Sequence, residues 1–296
     1  MAKKKKPRKK SYNPGKMFSP SADLQQKQQR LAKKVKQDSA YLNEHVLPGL
    51  ALQERLTWPL DFGDQQVLPV DVSKQGGAAY SYKEQEWPRC DCCQSSMVLM
   101  LQIMPKDQPL PLQDLTRGEV FQLFVCRNCP PAQDAMAQGN QTSGHIKVRY
   151  LILDQELAED QKNKPQELPD AAFPLVLGEA SIDYPGLIER HIMGVELSEE
   201  NNQRMQALGF PKTDDKLFGW PRWLHTVGWN PCPECGQVMT PVLQIKPDSR
   251  LLLDWPFNGV FYLASCAEHR DQVQGLWQDL STALEKSNEV STSINQ

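Results

Sequence analysis

The sequence predicts a mainly β protein, a β-rich α+β fold in which two tandem duplicated β units follow a basic N-terminal tail and one helix. Three observations predict it. Short apolar runs alternate with Pro, Gly, Asn and Asp from about residue 70 onward. Residues recur at a fixed offset along the chain. Charge is split sharply between the N-terminus and the rest. The 296 residues are 40% hydrophobic and 23% charged, a composition that excludes collagen, coiled coil and wholesale disorder and leaves room for one large or two ordinary domains. No run of about eighteen apolar residues offers a membrane span. The basic N-terminus lacks the apolar stretch of a secretory signal. A cytoplasmic protein is therefore expected, whose eight cysteines serve metal or thiol chemistry rather than disulfides.

Taken in order, residues 1–20 contain three prolines and little that is apolar, so a disordered tail is expected there. Lys3, Lys4, Lys5, Lys6, Arg8, Lys9 and Lys10 crowd its first half. Residues 1–36 hold thirteen Lys and Arg against one acid, Asp23, a net +12 that leaves −15 on the other 260 residues. Such a tail is either an arm that meets RNA through counterion release or a solubilising extension. A helix is predicted over 21–48, with Ser21 as N-cap, Asp23 in the first turn and Pro48-Gly49 at its end. Leu24, Leu31, Val35, Leu42 and Val46 form its apolar stripe. The helix either docks on the body by that stripe or presents its Gln and Lys face to a partner.

A first β unit is predicted over 70–153, with strands at Met97–Met104, Val120–Val125 and Ile146–Leu153. The first of these is apolar on both faces, as a strand buried on both sides is. Residues 130–144 read as a long loop. An acidic segment follows over 154–213, opening as a Pro-containing linker to residue 170 and including a helix from Ser198 to Leu208 closed by Gly209 and Pro211. From Asp154 to Asp215 there are fourteen acids and five bases. The second unit spans 214–275, with strands at Val242–Ile245 and Val260–Ala264, and 276–296 is a C-terminal tail.

The repeat ties the two units together. A shift of 142 residues lays Lys74 on Lys216, Gly77 on Gly219, Trp87 on Trp229, Cys90 and Cys93 on Cys232 and Cys235, and Leu101-Gln102-Ile103 on Leu243-Gln244-Ile245. At an offset of 140, Val120-Phe121 meets Val260-Phe261, Cys126 meets Cys266 and Cys129 meets His269. Polar and special residues recur along with apolar ones, so the pattern reads as a tandem duplication.

Each unit thereby carries two ligand knuckles: Cys90 and Cys93 with Cys126 and Cys129, then Cys232 and Cys235 with Cys266 and His269. Two close ligands on a tight turn grip one side of a tetrahedron, and a second such turn closes it. Thiolates and imidazole in that geometry favour zinc over magnesium or calcium. Two structural zinc ions with closed coordination are expected. Ordinary buried thiols would not explain the His at the matched place, and a thioredoxin-like use of the CxxC lacks its βαβ context. Cys92, matched by Glu234, is either a spare thiol or a substitute for Cys93.

His45, His145, His191 and His225 lack any triad-like context and read as surface or satisfied histidines. Trp220 and Trp223, with Trp229, form either an exposed stacking or peptide-binding face or ordinary core packing. With no phosphate-cradling glycine loop, nucleophile elbow or HExxH, no small-molecule substrate can be named and an enzyme is not expected.

The second unit, DKLFGWPRWLH…CPECGQVMTPVLQIKPD…FNGVFYLASCAEH, resembles the YwqG-like proteins. The first, WPRCDCCQSSMVLMLQIMP…GEVFQLFVCRNC, resembles the zinc-bearing half of the programmed cell death protein 2 family. The likeness covers about residues 70–275. It implies a shared duplicated β fold and a protein-binding module, since eukaryotic members of the second family chaperone a small-subunit ribosomal protein. A chaperone or adaptor for a basic, ribosomal client is thus the expected function, and the acidic body suits it. The alternative is a ribosome- or RNA-associated protein that binds through its basic tail.

Overall fold

A computed structural model describes residues 22–82, 85–129, 145–153, 164–224, 227–228, 231–246 and 259–279. The basic tail, the loop at 130–144 and most of the C-terminal tail lie outside the described residues. Helix α1 runs from Ala22 to Tyr41 and continues through a π-helical turn, Leu42–Val46, into a short helix α2, Leu47–Leu50. Pro48 stands in the first turn of α2, where its missing N–H costs nothing, so it does not end the helix as expected. The predicted stripe is only half used. Leu42 and Val46 are buried, whereas Leu31 and Val35 are exposed.

Among the described residues twelve strands follow: β1 Arg55–Phe62, β2 Gln66–Val67, β3 Lys74–Gly76, β4 Val98–Ile103, β5 Val120–Val125, β6 Ile146–Leu151, β7 Ala171–Leu177, β8 Ser181–Asp183, β9 Lys216–Phe218, β10 Thr240–Ile245, β11 Gly259–Ser265 and β12 Val273–Asp279. Helix α3, Leu110–Thr116, lies between β4 and β5; α4, Leu187–Ile192, and α5, Glu199–Ala207, lie between β8 and β9. The fold is mainly β. All pairings are antiparallel, and ten strands run in the order β12-β11-β10-β9-β1-β7-β3-β4-β5-β6, with β2 on β7 and β8 on β1. No helix among the described residues is long and apolar enough to cross a membrane.

That order is a palindrome about the β1–β7 pair. The first strand of each half crosses to the other half: β1 pairs with β9, and β7 pairs with β3. A second repeat, at 115 residues, marks these strands, since Pro59, Leu60 and Gly63 match Pro174, Leu175 and Gly178. Pro59 faces Lys216 and Pro174 faces Lys74. At each proline the strand leaves one neighbour, and the next residue begins the β1–β7 ladder or its flank. A ladder tolerates a missing N–H best at such a crossing. The acidic segment is therefore not all linker, for β7 and β8 are woven into the sheet.

Matched residues hold matched ladder positions. Leu101 faces Leu123 and Leu243 faces Leu263; Ile103 faces Phe121 and Ile245 faces Phe261. The glutamine of each Leu-Gln-Ile triplet is a buried clamp. Gln102 Nε2 donates to the carbonyls of Val70 and Val72, at 2.7 and 2.8 Å, and its Oε1 accepts from Tyr80 N at 2.8 Å. Gln244 Nε2 donates to Lys212 and Asp214 carbonyls, both at 3.1 Å, and its Oε1 accepts from Arg222 N at 2.8 Å. Each clamp fixes the segments on both sides of a short strand, β3 in the first half and β9 in the second. Gln244→Leu is expected to cost about 2–3 kcal/mol, because three backbone groups lose their partner, and Gln102→Leu a similar amount; urea unfolding measures both.

The main core draws on both halves: Leu101, Ile103, Phe121 and Leu123 join Leu217, Leu243, Ile245, Phe261 and Leu263 in one cluster. Strands so far apart in the order meet only if the sheet curls on itself. Arg270 donates to Glu119 at 2.8 Å across the closure. Each such side chain contributes roughly 1.5–3 kcal/mol by burial. A second cluster joins Leu42, Val46 and Leu50 to Tyr184 and Met205. Tyr184, helix α5 and the segments flanking α5, which have no counterpart between β2 and β3, thus form the seat for the N-terminal helix. The predicted second helix is α5, and Ser198 caps it by accepting from Asn201 N at 3.3 Å.

Candidate metal centres

Each centre begins with a turn just before an inner strand. In the first, an isolated bridge between Arg89 and Ser96 closes the turn. Within it Cys90 N donates to Ser95 O at 3.0 Å, and Gln94 N donates to Cys90 O at 2.9 Å. The second repeats this with a Pro231–Val238 bridge, Cys232 N to Gln237 O at 2.7 Å and Gly236 N to Cys232 O at 2.8 Å. The turn needs a left-handed residue. Gly236 supplies it at φ +72°, and Gln94 does so at φ +59°, its side chain donating to Asp91 O at 3.1 Å. Glycine takes that conformation at no steric cost; Gln94 offsets it with a hydrogen bond.

The other ligands follow β5 and β11. Cys129 N donates to Cys126 Sγ at 3.3 Å, and the β11 turn is held by Gln272 N on His269 O at 2.8 Å. The strands β4–β5 and β10–β11, paired at matched register, bring each pair of turns together. The eight predicted ligands gather into the two predicted fours, with donor atoms within 4.8 Å of one another in each.

The spacing fits a metal ion. Cys90 Sγ lies 3.9 Å from Cys129 Sγ, and Cys93 Sγ lies 3.6 Å from Cys126 Sγ. In the second centre, His269 Nδ1 lies 3.7 Å from both Cys232 Sγ and Cys266 Sγ, and Cys235 Sγ lies 3.6 Å from Cys266 Sγ. A tetrahedron with metal–sulfur bonds of about 2.3 Å has edges of about 3.8 Å. Electrostatics suit the task as well. Hydrogen bonding from Ser95 foremost brings the Cys93 thiol down to about 6, and the backbone N–H of His269 foremost brings Cys266 down to about 6. Each centre thus has one thiol ready as a thiolate at neutral pH. The Cys129 thiol is pushed far up, by Cys93 foremost and then by burial and Cys92.

Two neighbours escaped the sequence reading. His145, expected as a surface or satisfied histidine, sets Nδ1 3.4 Å from Cys90 Sγ, and its carbonyl accepts from Cys126 N at 2.9 Å. Glu234 reaches His269 Nε2 at 3.4 Å, so Nδ1 faces the ligand set while a carboxylate steadies the far side of the ring. Cys92, at the matched place, only adds to the upward push on the Cys129 thiol. It is exposed and outside the ligand set. The only sequence signal for this role was the shared place in the two knuckles.

Trp220 and Trp223 do not make the exposed face considered for them. Trp220 is 5% exposed, donates Nε1 to Gln53 O at 2.6 Å and carries Arg55 3.6 Å above its ring. Trp223 is half-buried, donates Nε1 to Glu189 Oε1 at 2.9 Å and packs on Tyr262 at 4.6 Å. Each lends one wall to a cavity: about 380 Å³ between α4 and the second knuckle for Trp220, about 410 Å³ beside α4 and Pro211 for Trp223. Trp229, His225 and the tail lysines lie outside the described residues. His45 and His191 are exposed and belong to neither ligand set. Compared with protein-family models and with curated proteins, the chain matches none.

Proposed function

We propose that this chain is a zinc-stabilised protein-binding module, built by tandem duplication, that acts as a chaperone or adaptor for a basic protein client of the ribosomal kind. The observation that carries the reading is the closure of both centres. Four protein donors fill each tetrahedron, so a zinc ion there has no open position for water or substrate and serves to hold two turns together. The remaining chemistry is a surface of charge and shape. A body with net charge −15 beyond residue 36 attracts a basic partner and competes with RNA for it. Ile192, Met193 and Val238 stand exposed around the cavity walled by Trp220, offering such a client an apolar contact. The likeness to the programmed cell death protein 2 family points the same way.

Affinity capture of the full-length protein, with and without nuclease, tests the reading. A basic protein retained in stoichiometric amount after nuclease is the expected result. A broad set of ribosomal proteins that vanishes with nuclease would overturn it.

A further inference from the structure

Helix α1 stands away from the body over most of its length. Every residue from 25 to 37 is exposed, and contact with the body begins at Asp38, which is buried and pairs with Arg204 of α5 at 3.5 Å. This free stretch holds Lys27, Arg30, Lys33, Lys34 and Lys36 and no acid. At 1.5 Å per residue it is about 20 Å long. With 3.6 residues per turn, its five cations spread over about half the circumference, from Lys36 through Lys33, Arg30 and Lys34 to Lys27. None of the five makes an ion pair among the described residues, although the body that carries the helix is acidic.

We infer that residues 25–37 form a rigid arm that binds the phosphate backbone of a nucleic acid. The width of the cationic arc decides for this partner. A groove on a protein would meet one face of the helix and leave the other cations unused, whereas phosphate rows flank a helix lying in a nucleic-acid groove on both sides. A second copy of the chain would set five positive charges against five. A membrane surface would need a broad apolar face, and the described part of this stretch offers Leu31, 63% exposed, and Val35, 38% exposed. The docked end matters too. Leu42, Val46 and Leu50 are buried in the body, so the arm is held at a set angle to the sheet. The inference does not rest on the client reading, and the two experiments fail separately.

The test is a salt titration of full-length protein between 50 and 200 mM with duplex DNA, duplex RNA and single-stranded RNA. The comparison is a variant carrying Lys27→Gln, Arg30→Gln, Lys33→Gln, Lys34→Gln and Lys36→Gln, since glutamine keeps helix propensity. Its log–log salt slope is expected to be flatter by up to about 4.5 on duplex and about 3.5 on single strands, because five fewer phosphates release counterions. A companion with Lys27→Arg, Lys33→Arg, Lys34→Arg and Lys36→Arg should keep the original slope, which separates charge from folding. Leu31→Gln with Val35→Gln should bind as the original does. Equal slopes for the original and the glutamine variant would overturn the inference. So would loss of binding in the Leu31 and Val35 variant, or loss by the glutamine variant of binding to anionic phospholipid vesicles alone.

Discussion

Stripping the metal from the full-length chain is expected to melt both knuckle regions while the central sheet survives. The ligands define their own small clusters: Cys90, Cys126 and Cys129 pack with Met97, Leu99 and Phe124, and Cys232 and Cys266 pack with Met239. No cysteine belongs to the main core, which rests on leucines, isoleucines and aromatics from both halves. Removing an ion frees four donors that must then be solvated or protonated within clusters too small to hold themselves. Amide exchange at 87–99, 124–129, 231–240 and 264–272 should lose its protection after chelation, while β4, β5, β10 and β11 keep theirs near Leu101 and Leu243. Elemental analysis before chelation should find about two zinc ions per chain. Cys126→Ser should cost more than about 4 kcal/mol, as loss of a metal site does, whereas Cys92→Ser should stay within about 0.5 kcal/mol, as exposed substitutions do. Equal losses for the two would remove Cys126 from the ligand set.

Lys216→Met is expected to be the most damaging substitution away from the metals. Lys216 and Asp183 are both buried, with Nζ 2.7 Å from Oδ2. Nζ also donates to the carbonyls of Lys212 and Trp220, both at 2.7 Å. Asp183 in turn accepts from the backbone N–H of Tyr184, Lys212 and Trp220, at 3.0, 2.9 and 2.9 Å. The pair therefore ties β8 to β9 and to the chain on either side of β9. Burial outweighs the attraction of Asp183 and holds the Lys216 pKa below its ordinary value. The substitution nonetheless leaves a buried carboxylate without its cation, which typically costs 3–5 kcal/mol, or roughly 6–20 °C in Tm for a domain of this size. Asp183→Asn in the same chain should restore part of it.

Lys74, the matched residue, is held by a backbone carbonyl where Lys216 has a buried carboxylate. It is buried, donates to Pro69 O, and burial brings its pKa down from 10.5 to about 8, opposed by Asp71. Here too the fold disfavours the charged form. The unfolded chain binds more protons between pH about 8 and 10.5, so Lys74 makes stability rise with pH across that window. Lys74→Met should remove that part of the rise and cost less at pH 7 than Lys216→Met does. Denaturant midpoints at pH 7, 8 and 9.5 measure both effects.

The strands read correctly from the sequence were β4, β5, β6, β10 and β11, the inner and flanking strands with dense apolar runs. The strands it hid include β12, the two- and three-residue strands β2, β3, β8 and β9, and the long β1 and β7, each of which contains a proline. A proline argues against a central strand, and nothing within either segment says that its neighbour changes there. The apolar stripe of α1 was legible as a period, yet the period could not say where the body stops. That edge is set by Tyr184, α5 and the segments flanking α5, whose packing buries Leu42 and Val46 and leaves Leu31 and Val35 outside. Trp220 and Trp223 were visible as a cluster, but Gln53 and Glu189, far away along the chain, decide where each indole N–H points.

The sequence by itself determined the eight ligands and their division into two fours. A knuckle is a local turn whose spacing and left-handed residue are written within a few positions, and the repeat says which turn answers which. Only the tertiary structure decided that the two halves exchange their first strands, that His145 and Glu234 stand beside the ligands, and that a basic helix projects from an acidic body. Those outcomes depend on pairings tens of residues to more than a hundred residues apart, where the energy lies in the completed ladder and core and no local pattern carries it.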